Sequence, residues 1–126
     1  MAHTYGSCLY HFVFSTHNRQ NTLPGEWRRR LWEYMGGTAR NEGMESPLGI
    51  GGTENHCHAL IMIPPAMAPA KGIQFIKGNS SRWINETLEP PFPFAWQEGY
   101  GVFTIGFSQM RRREPTFKIR RSVTGS

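Results

Sequence analysis

Strand-like and helix-like patterns alternate along this chain of 126 residues in the order β-α-β-β-α-β. That order is typical of the ferredoxin-like (RRM-like) sandwich, an α+β fold whose antiparallel sheet carries two helices on one face and leaves the other face open. A chain of this length suits one domain, and no internal repeat is visible. We therefore predict one ferredoxin-like domain over residues 1–109, followed by a basic C-terminal tail over residues 110–126.

The first strand is predicted at residues 8–16, where the sequence CLYHFVFST is rich in aromatic and β-favouring residues. Side chains alternate between the two faces of a strand, so His11 shares a face with Leu9 and Val13. We expect His11 to point inward on that face as a core histidine.

Two helices are predicted from apolar residues that recur at helical spacing. The first lies within residues 26–43 and the second within residues 66–88. The apolar positions are Trp27, Leu31, Tyr34 and Met35 in the first helix, and Ile73, Ile76, Trp83 and Ile84 in the second. Each helix therefore has one face that it can bury against the sheet.

The remaining strands are predicted in two places. A glycine-rich stretch within residues 45–55 leads through a turn into the apolar strand HCHALIMI, which Pro64 and Pro65 end. After the proline-rich linker EPPFPF, the sequence AWQEGYGVFTIGF indicates a strand, a turn and a strand. Together these segments complete the β-α-β-β-α-β order.

The net charge of +5 belongs to the tail. From Arg111 onward six basic residues accompany one acidic residue, Glu114. Over the first 110 positions the numbers of basic and acidic residues are equal. The chain has no aspartate, which argues against EF-hands and carboxylate-rich two-metal nuclease sites. Two cysteines fit a reducing cytosol, and no apolar run reaches the roughly 18 residues of a membrane span. We therefore expect a cytoplasmic protein with no membrane partner.

The strand HCHALIMI carries two histidines, His56 and His58, one residue apart. Residues i and i+2 of a strand share a face, so the two imidazoles stand side by side, with Glu54 in line with them. Such a pair can offer two nitrogen ligands to one divalent ion, and the open sheet face leaves room for water or substrate. The alternative is two half-exposed histidines without a ligand. A zinc site that uses Cys57 is disfavoured because Cys57 points to the opposite face.

Several basic and aromatic residues are candidates for nucleic-acid contacts. Arg19, Lys77 and Arg82 are expected to bind phosphates, and the alternative for each is a solvated surface. Trp96 and Tyr100 are expected to stack on unpaired bases, and the alternative is packing of the last strand. The basic tail would add salt-sensitive affinity for DNA.

The segment IGGTENHCHALIMIPP resembles the HUH segment of the single-tyrosine HUH transposases of insertion sequences, including the REP-associated tyrosine transposases. Three other segments resemble the same family in the same order: YHFVFSTHNR its opening strand, GIQFIKGNSSRWIN its second helix, and AWQEGYGVFTI its last core strand. The likeness covers residues 8–109.

The resemblance implies binding to single-stranded or hairpin DNA at the ends of a mobile element, with metal-dependent cleavage and joining of DNA strands in transposition. It implies that His56 and His58 hold Mg²⁺ or Mn²⁺ together with a polar side chain of a later helix. It also implies that a tyrosine of that helix attacks the scissile phosphate, and that the protein is a homodimer.

The chain departs from the family after the last core strand. No tyrosine follows Tyr100, which does not match the nucleophile position, and the sequence FSQMRRREPTF suits a truncation or frameshift near Met110. We therefore predict no catalytic nucleophile, weakened metal binding and impaired family chemistry. The alternatives are a non-catalytic module that binds single-stranded nucleic acid on the same fold, and a nuclease that uses a metal-bound water.

Overall fold

The computed structural model describes residues 7–46, 49–106 and 118–122, the last range as backbone. Within these residues an antiparallel sheet carries two helices, which confirms the predicted α+β fold class. The elements are β1 (Cys8–Ser15), α1 (Gly25–Asn41), β2 (Ile50–Gly52), β3 (His56–Ile63), α2 (Pro69–Trp83), β4 (Tyr100–Ile105) and β5 (Lys118–Ser122). A 3₁₀ turn, His17–Arg19, follows β1, and a π-helical turn, Ile84–Leu88, extends α2. None of the described helices is long and apolar enough to cross a membrane.

The strands are arranged in the order β2-β3-β1-β4-β5, and each neighbouring pair is antiparallel. The first four strands have the ferredoxin-like order. The fifth strand extends the sheet beyond β4 and lies in the segment predicted to be a basic tail, so part of that segment forms a strand that the sequence did not predict. Residues 107–117, which include the predicted break near Met110, lie outside the described part of the chain.

The hydrophobic core lies between the helices and one face of the sheet. Five of the predicted apolar helix positions are fully buried: Leu31, Met35, Ile73, Ile76 and Ile84. The sheet contributes Phe12, Phe14, Cys57, Ala59, Ile61, Ile63 and Val102. Strand alternation therefore assigns one set of side chains in β1 and β3 to the core and places the other set on the opposite face, where Leu9 and Met62 are buried as well.

The segment before β4 differs from the predicted strand, turn and strand. Its first half reduces to one bridge between Thr16 and Trp96. Further backbone hydrogen bonds hold it in place, because the N–H of His17 donates to the oxygen of Ala95 at 3.0 Å and the N–H of Gln97 donates to the oxygen of Ser15 at 2.8 Å. The loop after β1 and the segment before β4 therefore form one connected unit.

Lys77 of α2 supports this unit from the helix side. Its ammonium donates to the carbonyl oxygens of Gln97 and Gly99, both at 2.9 Å. The same group lies 5.5 Å from the ring centre of Phe14 and 5.9 Å from that of Tyr100. Burial lowers the pKa of Lys77 to about 8, against the opposing effect of Glu98. Lys77 thus connects α2 to the residues that lead into β4.

The hairpin between β2 and β3 brings two backbones into close approach at Gly52. A Cβ atom at this position would lie 2.1 Å from the carbonyl oxygen of His56 and 2.9 Å from the Cα of Cys57. The N–H of Thr53 donates to the same His56 oxygen at 2.9 Å, so the backbone cannot move aside without losing a hydrogen bond. The neighbouring Gly51 has open space where its Cβ would lie.

We predict that Gly52→Ala destabilises the fold by about 1–3 kcal/mol, because the added methyl overlaps backbone atoms of the paired strand. The matched control, Gly51→Ala, should change the free energy of unfolding by no more than about 0.5 kcal/mol. Urea unfolding followed by circular dichroism measures both. Equal stability of the two variants would show that the close approach at Gly52 is not a constraint.

The pKa of Lys77 predicts a dependence of stability on pH. A lysine in the unfolded chain has a pKa of about 10.4, whereas that of Lys77 in the fold is lowered to about 8. Between these values the unfolded state binds more protons, so this residue makes the free energy of unfolding rise with pH. Lys77→Met removes the contribution. Urea titrations give the free energy of unfolding of both proteins, and the wild-type value minus that of the variant should increase from pH 8 to pH 10. A difference that stays constant would contradict the lowered pKa of Lys77.

Candidate functional site

An open cleft of about 560 Å³ lies where β1 ends and where β3 and β4 begin. His56 and His58 of β3 line it, and Arg19 borders it from the loop after β1. Residues 97–101 supply the opposite wall. The two walls are linked, because the backbone N–H of Asn18 donates to the side-chain oxygen of Gln97 at 2.9 Å. The fold therefore builds a preformed cleft around the predicted histidine pair.

The hydrogen bonds of His56 determine which of its ring nitrogens is available. Its Nδ1 lies 2.9 Å from Asn55 Oδ1 and 3.0 Å from Thr53 Oγ1. The Asn55 amide is oriented by its own donation from Nδ2 to Asn21 Oδ1 at 3.2 Å. Because an amide oxygen only accepts hydrogen bonds, His56 Nδ1 carries the proton and Nε2 keeps its lone pair. A neutral His56 can therefore bind a cation through Nε2.

His58 lies beside His56, with 5.0 Å between the ring centres and an angle of 71° between the ring planes. Its Nδ1 is 3.0 Å from Nε2 of His11. The prediction that His11 points into the core is therefore wrong. Alternation places His11 on the other face of β1 from Phe12 and Phe14. Those two phenylalanines occupy the core face, so His11 stands on the open face.

The surroundings of His11 and His58 favour the neutral form of both rings. Burial, and to a smaller extent the neighbouring His58, lower the pKa of His11. Burial, followed by His56, lowers the pKa of His58. A neutral imidazole has one lone pair that a protonated ring lacks, so the surroundings keep His11 and His58 in a form that can accept a hydrogen bond or bind a cation.

The donor set suits a divalent cation held by two protein ligands, with the other positions left for water or substrate oxygens. No group of three or more His, Cys, Asp or Glu side chains within the described ranges is placed to share one ion. Glu54, expected in line with the histidines, instead forms an ion pair with Arg28 at 3.7 Å. Cys57 is fully buried on the helix side, as the sequence predicted.

Of the residues predicted to contact DNA, Arg19 and Tyr100 lie at the cleft. Arg19 is exposed and has a left-handed backbone, with φ of 54°. The ring of Tyr100 packs edge-on against Phe12, with 5.7 Å between centres, so part of it faces the core. Arg82 lies on an exposed surface of α2 and donates to Asn79. Arg19 and Arg82, both predicted to bind phosphates, therefore belong to different surfaces of the molecule.

Trp96 and Lys77 have structural partners that the sequence did not reveal. Trp96 is 8% exposed, and its indole N–H donates to Ser80 Oγ at 3.0 Å. Its ring meets Phe14 edge-on at 4.8 Å, so no exposed ring face is left for a base to stack on in this arrangement. Lys77 donates to two carbonyl oxygens below the cleft wall. These surroundings favour the packing alternative for Trp96 and a supporting role for Lys77.

Sequence reasoning missed His11, Asn55 and Gln97 as parts of the site. For His11 a signal existed, because Phe12 and Phe14 mark the core face of the same strand. Asn55 directly precedes the histidine pair, and its side-chain oxygen can accept a hydrogen bond from an imidazole N–H. Gln97 acts through the backbone of Asn18, a contact that joins two distant loops and has no sequence signature.

Comparisons with known proteins identify the family and support the fold. The family model described as "Transposase IS200 like" matches residues 4–113. The chain is 30% identical over 111 residues to the transposases for insertion sequence element IS200 of Salmonella typhimurium and Salmonella typhi, a match that covers 84% of this chain and 72% of each relative. The fold is similar to the crystal structure of a candidate transposase from Deinococcus radiodurans, with a TM-score of 0.73, 21% identity and coverage of 90% of this chain and 92% of the other. The chain therefore belongs to the IS200-like transposase family.

Proposed function

We propose that this chain binds single-stranded or hairpin DNA in the cleft of the open sheet face, and that His56 and His58 hold Mg²⁺ or Mn²⁺ there. The observation that carries the proposal is the histidine pair itself. Its two rings are adjacent, and hydrogen bonds engage the Nδ1 atom of each ring. Membership in the IS200-like transposase family supports DNA as the substrate class.

The cleft offers separate contacts for the parts of a DNA strand. Arg19 borders it with an exposed guanidinium, which suits a phosphate group. Phe103 and Tyr100 provide ring surface on the opposite wall, where stacking contributes about 1–3 kcal/mol per base. A strand that crosses the cleft can therefore bring a phosphate close to the histidine pair while its bases contact the β4 side.

A bound divalent cation would act as a Lewis acid that polarises a phosphate oxygen. The contribution of the protein is to present both histidines in the correct tautomer and to restrict their movement. For His56, the Asn55 and Thr53 contacts do this at 2.9 Å and 3.0 Å. With two protein ligands in place of the three that the family resemblance implies, cation affinity should be modest.

We propose further that strand cleavage and joining are impaired in this chain, because the segment after the last core strand, FSQMRRREPTF, lacks the tyrosine that the family resemblance implies. The tyrosines of the described structure have other surroundings. Tyr34 stacks on Trp83 on the helical side, with 4.8 Å between ring centres. Tyr10 and Tyr100 pack against Phe12, which lies on the core face of β1. A phosphotyrosine intermediate would require a hydroxyl held in line with the scissile phosphate.

The second candidate function is a non-catalytic module that binds single-stranded nucleic acid on the same fold. The lack of a tyrosine in the segment FSQMRRREPTF favours it, because binding needs only the cleft and a cationic contact such as Arg19. We also propose a homodimer, on the basis of the family resemblance, and a cytoplasmic location, on the basis of the cysteine content.

A binding and cleavage assay tests the proposed function. Labelled hairpin and single-stranded DNA are incubated with the protein and Mn²⁺, and then analysed by fluorescence anisotropy and on a denaturing gel. We expect binding that Mn²⁺ strengthens, and neither a covalent adduct nor cleavage. His56→Ala and His58→Ala should each abolish the Mn²⁺ effect, whereas His17→Ala, an exposed histidine of the loop after β1, should preserve it.

Each outcome of this assay distinguishes the candidates. Binding that is indifferent to Mn²⁺ supports the non-catalytic module. A covalent adduct that both histidine substitutions abolish would show that one of the four tyrosines of the chain supplies the nucleophile, which contradicts the proposed impairment. Cleavage without an adduct would indicate water as the nucleophile.

Arg19→Ala should weaken the binding of single-stranded DNA and reduce the slope of log K against log salt by roughly 0.7, the value for one lost phosphate contact. The matched control is Arg29→Ala, because Arg29 is 89% exposed on α1 and pairs with Glu33 away from the cleft. Anisotropy titrations between 50 and 200 mM salt give both slopes. The same slope for both variants would remove Arg19 from the proposed interface.

A further inference from the structure

The contact between His11 and His58 crosses two strands. In the sheet register His11 lies opposite Leu60, so His58 is its diagonal neighbour on the same face. The nitrogen atoms His11 Nε2 and His58 Nδ1 are 3.0 Å apart, and the ring centres are separated by 5.2 Å. On its other side the His11 ring packs against Phe103, with 5.5 Å between centres. Neighbours on both sides therefore orient the His11 ring.

A hydrogen bond between two neutral imidazoles has one donor and one acceptor, so two arrangements are consistent with this distance. If His11 donates, His58 carries its proton on Nε2 and its only lone pair is used in the bond. If His58 donates from Nδ1, its Nε2 lone pair is left for a cation, and His11 carries its proton on Nδ1. Only the second arrangement makes His58 equivalent to His56, whose Nδ1 donates to Asn55.

We propose that His11 is a positioning residue that accepts a hydrogen bond from Nδ1 of His58 and thereby directs Nε2 of His58 toward the cation site. The inference rests on the proposed function, because it assigns His11 a role in the same site. It extends that function by giving each cation ligand its own partner on Nδ1: Asn55 and Thr53 for His56, and His11 for His58. Such partners fix the tautomer and the ring orientation of a histidine ligand.

The first test needs no cation and no DNA. Long-range ¹H–¹⁵N spectra of the imidazole rings report which nitrogen of each histidine carries the proton. In the wild-type protein we expect the Nδ1–H tautomer for His58 and also for His56. In His11→Ala the Nδ1–H form of His58 should lose its acceptor and give way to the Nε2–H form, while His56 should remain unchanged.

The second test measures Mn²⁺ affinity from paramagnetic broadening or calorimetry. Loss of a partner of this kind typically weakens metal binding by about 10- to 100-fold, so His11→Ala should show a loss of about tenfold or more. His11→Gln keeps a side-chain acceptor near the position of Nε2 and should restore part of the affinity. His17→Ala, a histidine outside the cluster, serves as the control and should bind Mn²⁺ like the wild type.

The outcomes separate the two proposals. An Nε2–H tautomer of His58 in the wild type, or an unchanged His58 tautomer in His11→Ala, would overturn the role of His11 whether or not a cation binds. Mn²⁺ binding that His56→Ala and His58→Ala leave unchanged would overturn the proposed cation site instead. A changed tautomer together with weakened Mn²⁺ binding in His11→Ala, and recovery in His11→Gln, supports both.

Discussion

The pairing of β1 on both of its edges is the interaction on which the rest of the structure depends. Along one edge β1 pairs with β3 from Cys8 to Ser15, and along the other it pairs with β4 from Leu9 to Val13. This register sorts every side chain of the strand. Phe12 and Phe14 enter the core beneath the helices, and His11 stands on the open face beside His58. A shift of one residue would exchange the side chains of the core face with those of the open face and remove the contact between His11 and His58.

The same strand also organises the cleft walls beyond the sheet. Where β1 ends, the chain turns through His17–Arg19 and is tied by backbone hydrogen bonds to residues 95–97. Lys77 holds the following carbonyl groups from the helix side. Arg19 and residues 97–99, which border the cleft, are therefore carried by loops, but those loops are fixed to the sheet and to α2. A site built in this way is organised before a ligand arrives, which reduces the entropy lost on binding.

The fold and the histidine pair could be predicted from the sequence because both follow from local periodicity. Alternation along β3 places His56 and His58 on one face and Cys57 on the other, which Ala59 and Ile61 mark as the core face. The roles of Trp96 and Lys77 could not be predicted in this way, because an indole or an ammonium group suits DNA and protein partners equally well. Their partners, Ser80 and the carbonyl groups of residues 97 and 99, are known only once the segments meet in space.

Two further differences have similar physical causes. Glu54 was expected beside the histidines, but it lies in the turn before β3 and forms an ion pair with Arg28, which belongs to a different element. The strand β5 lacks a clear apolar alternation, because three of its five residues are basic, and its pairing with β4 rests on backbone hydrogen bonds. Contacts between distant segments, rather than local propensity, decided both cases.

The central claim is that DNA occupies the cleft at the histidine cluster. The most direct measurement is a map of chemical-shift changes in the ¹⁵N-labelled protein on titration with a single-stranded oligonucleotide in the presence of Mg²⁺. We expect the largest changes at Arg19, His56, His58 and Phe103, on the open face of the sheet. Changes centred on the helical side, at Arg30, Tyr34 and Trp83, with the histidine signals unmoved, would contradict the account.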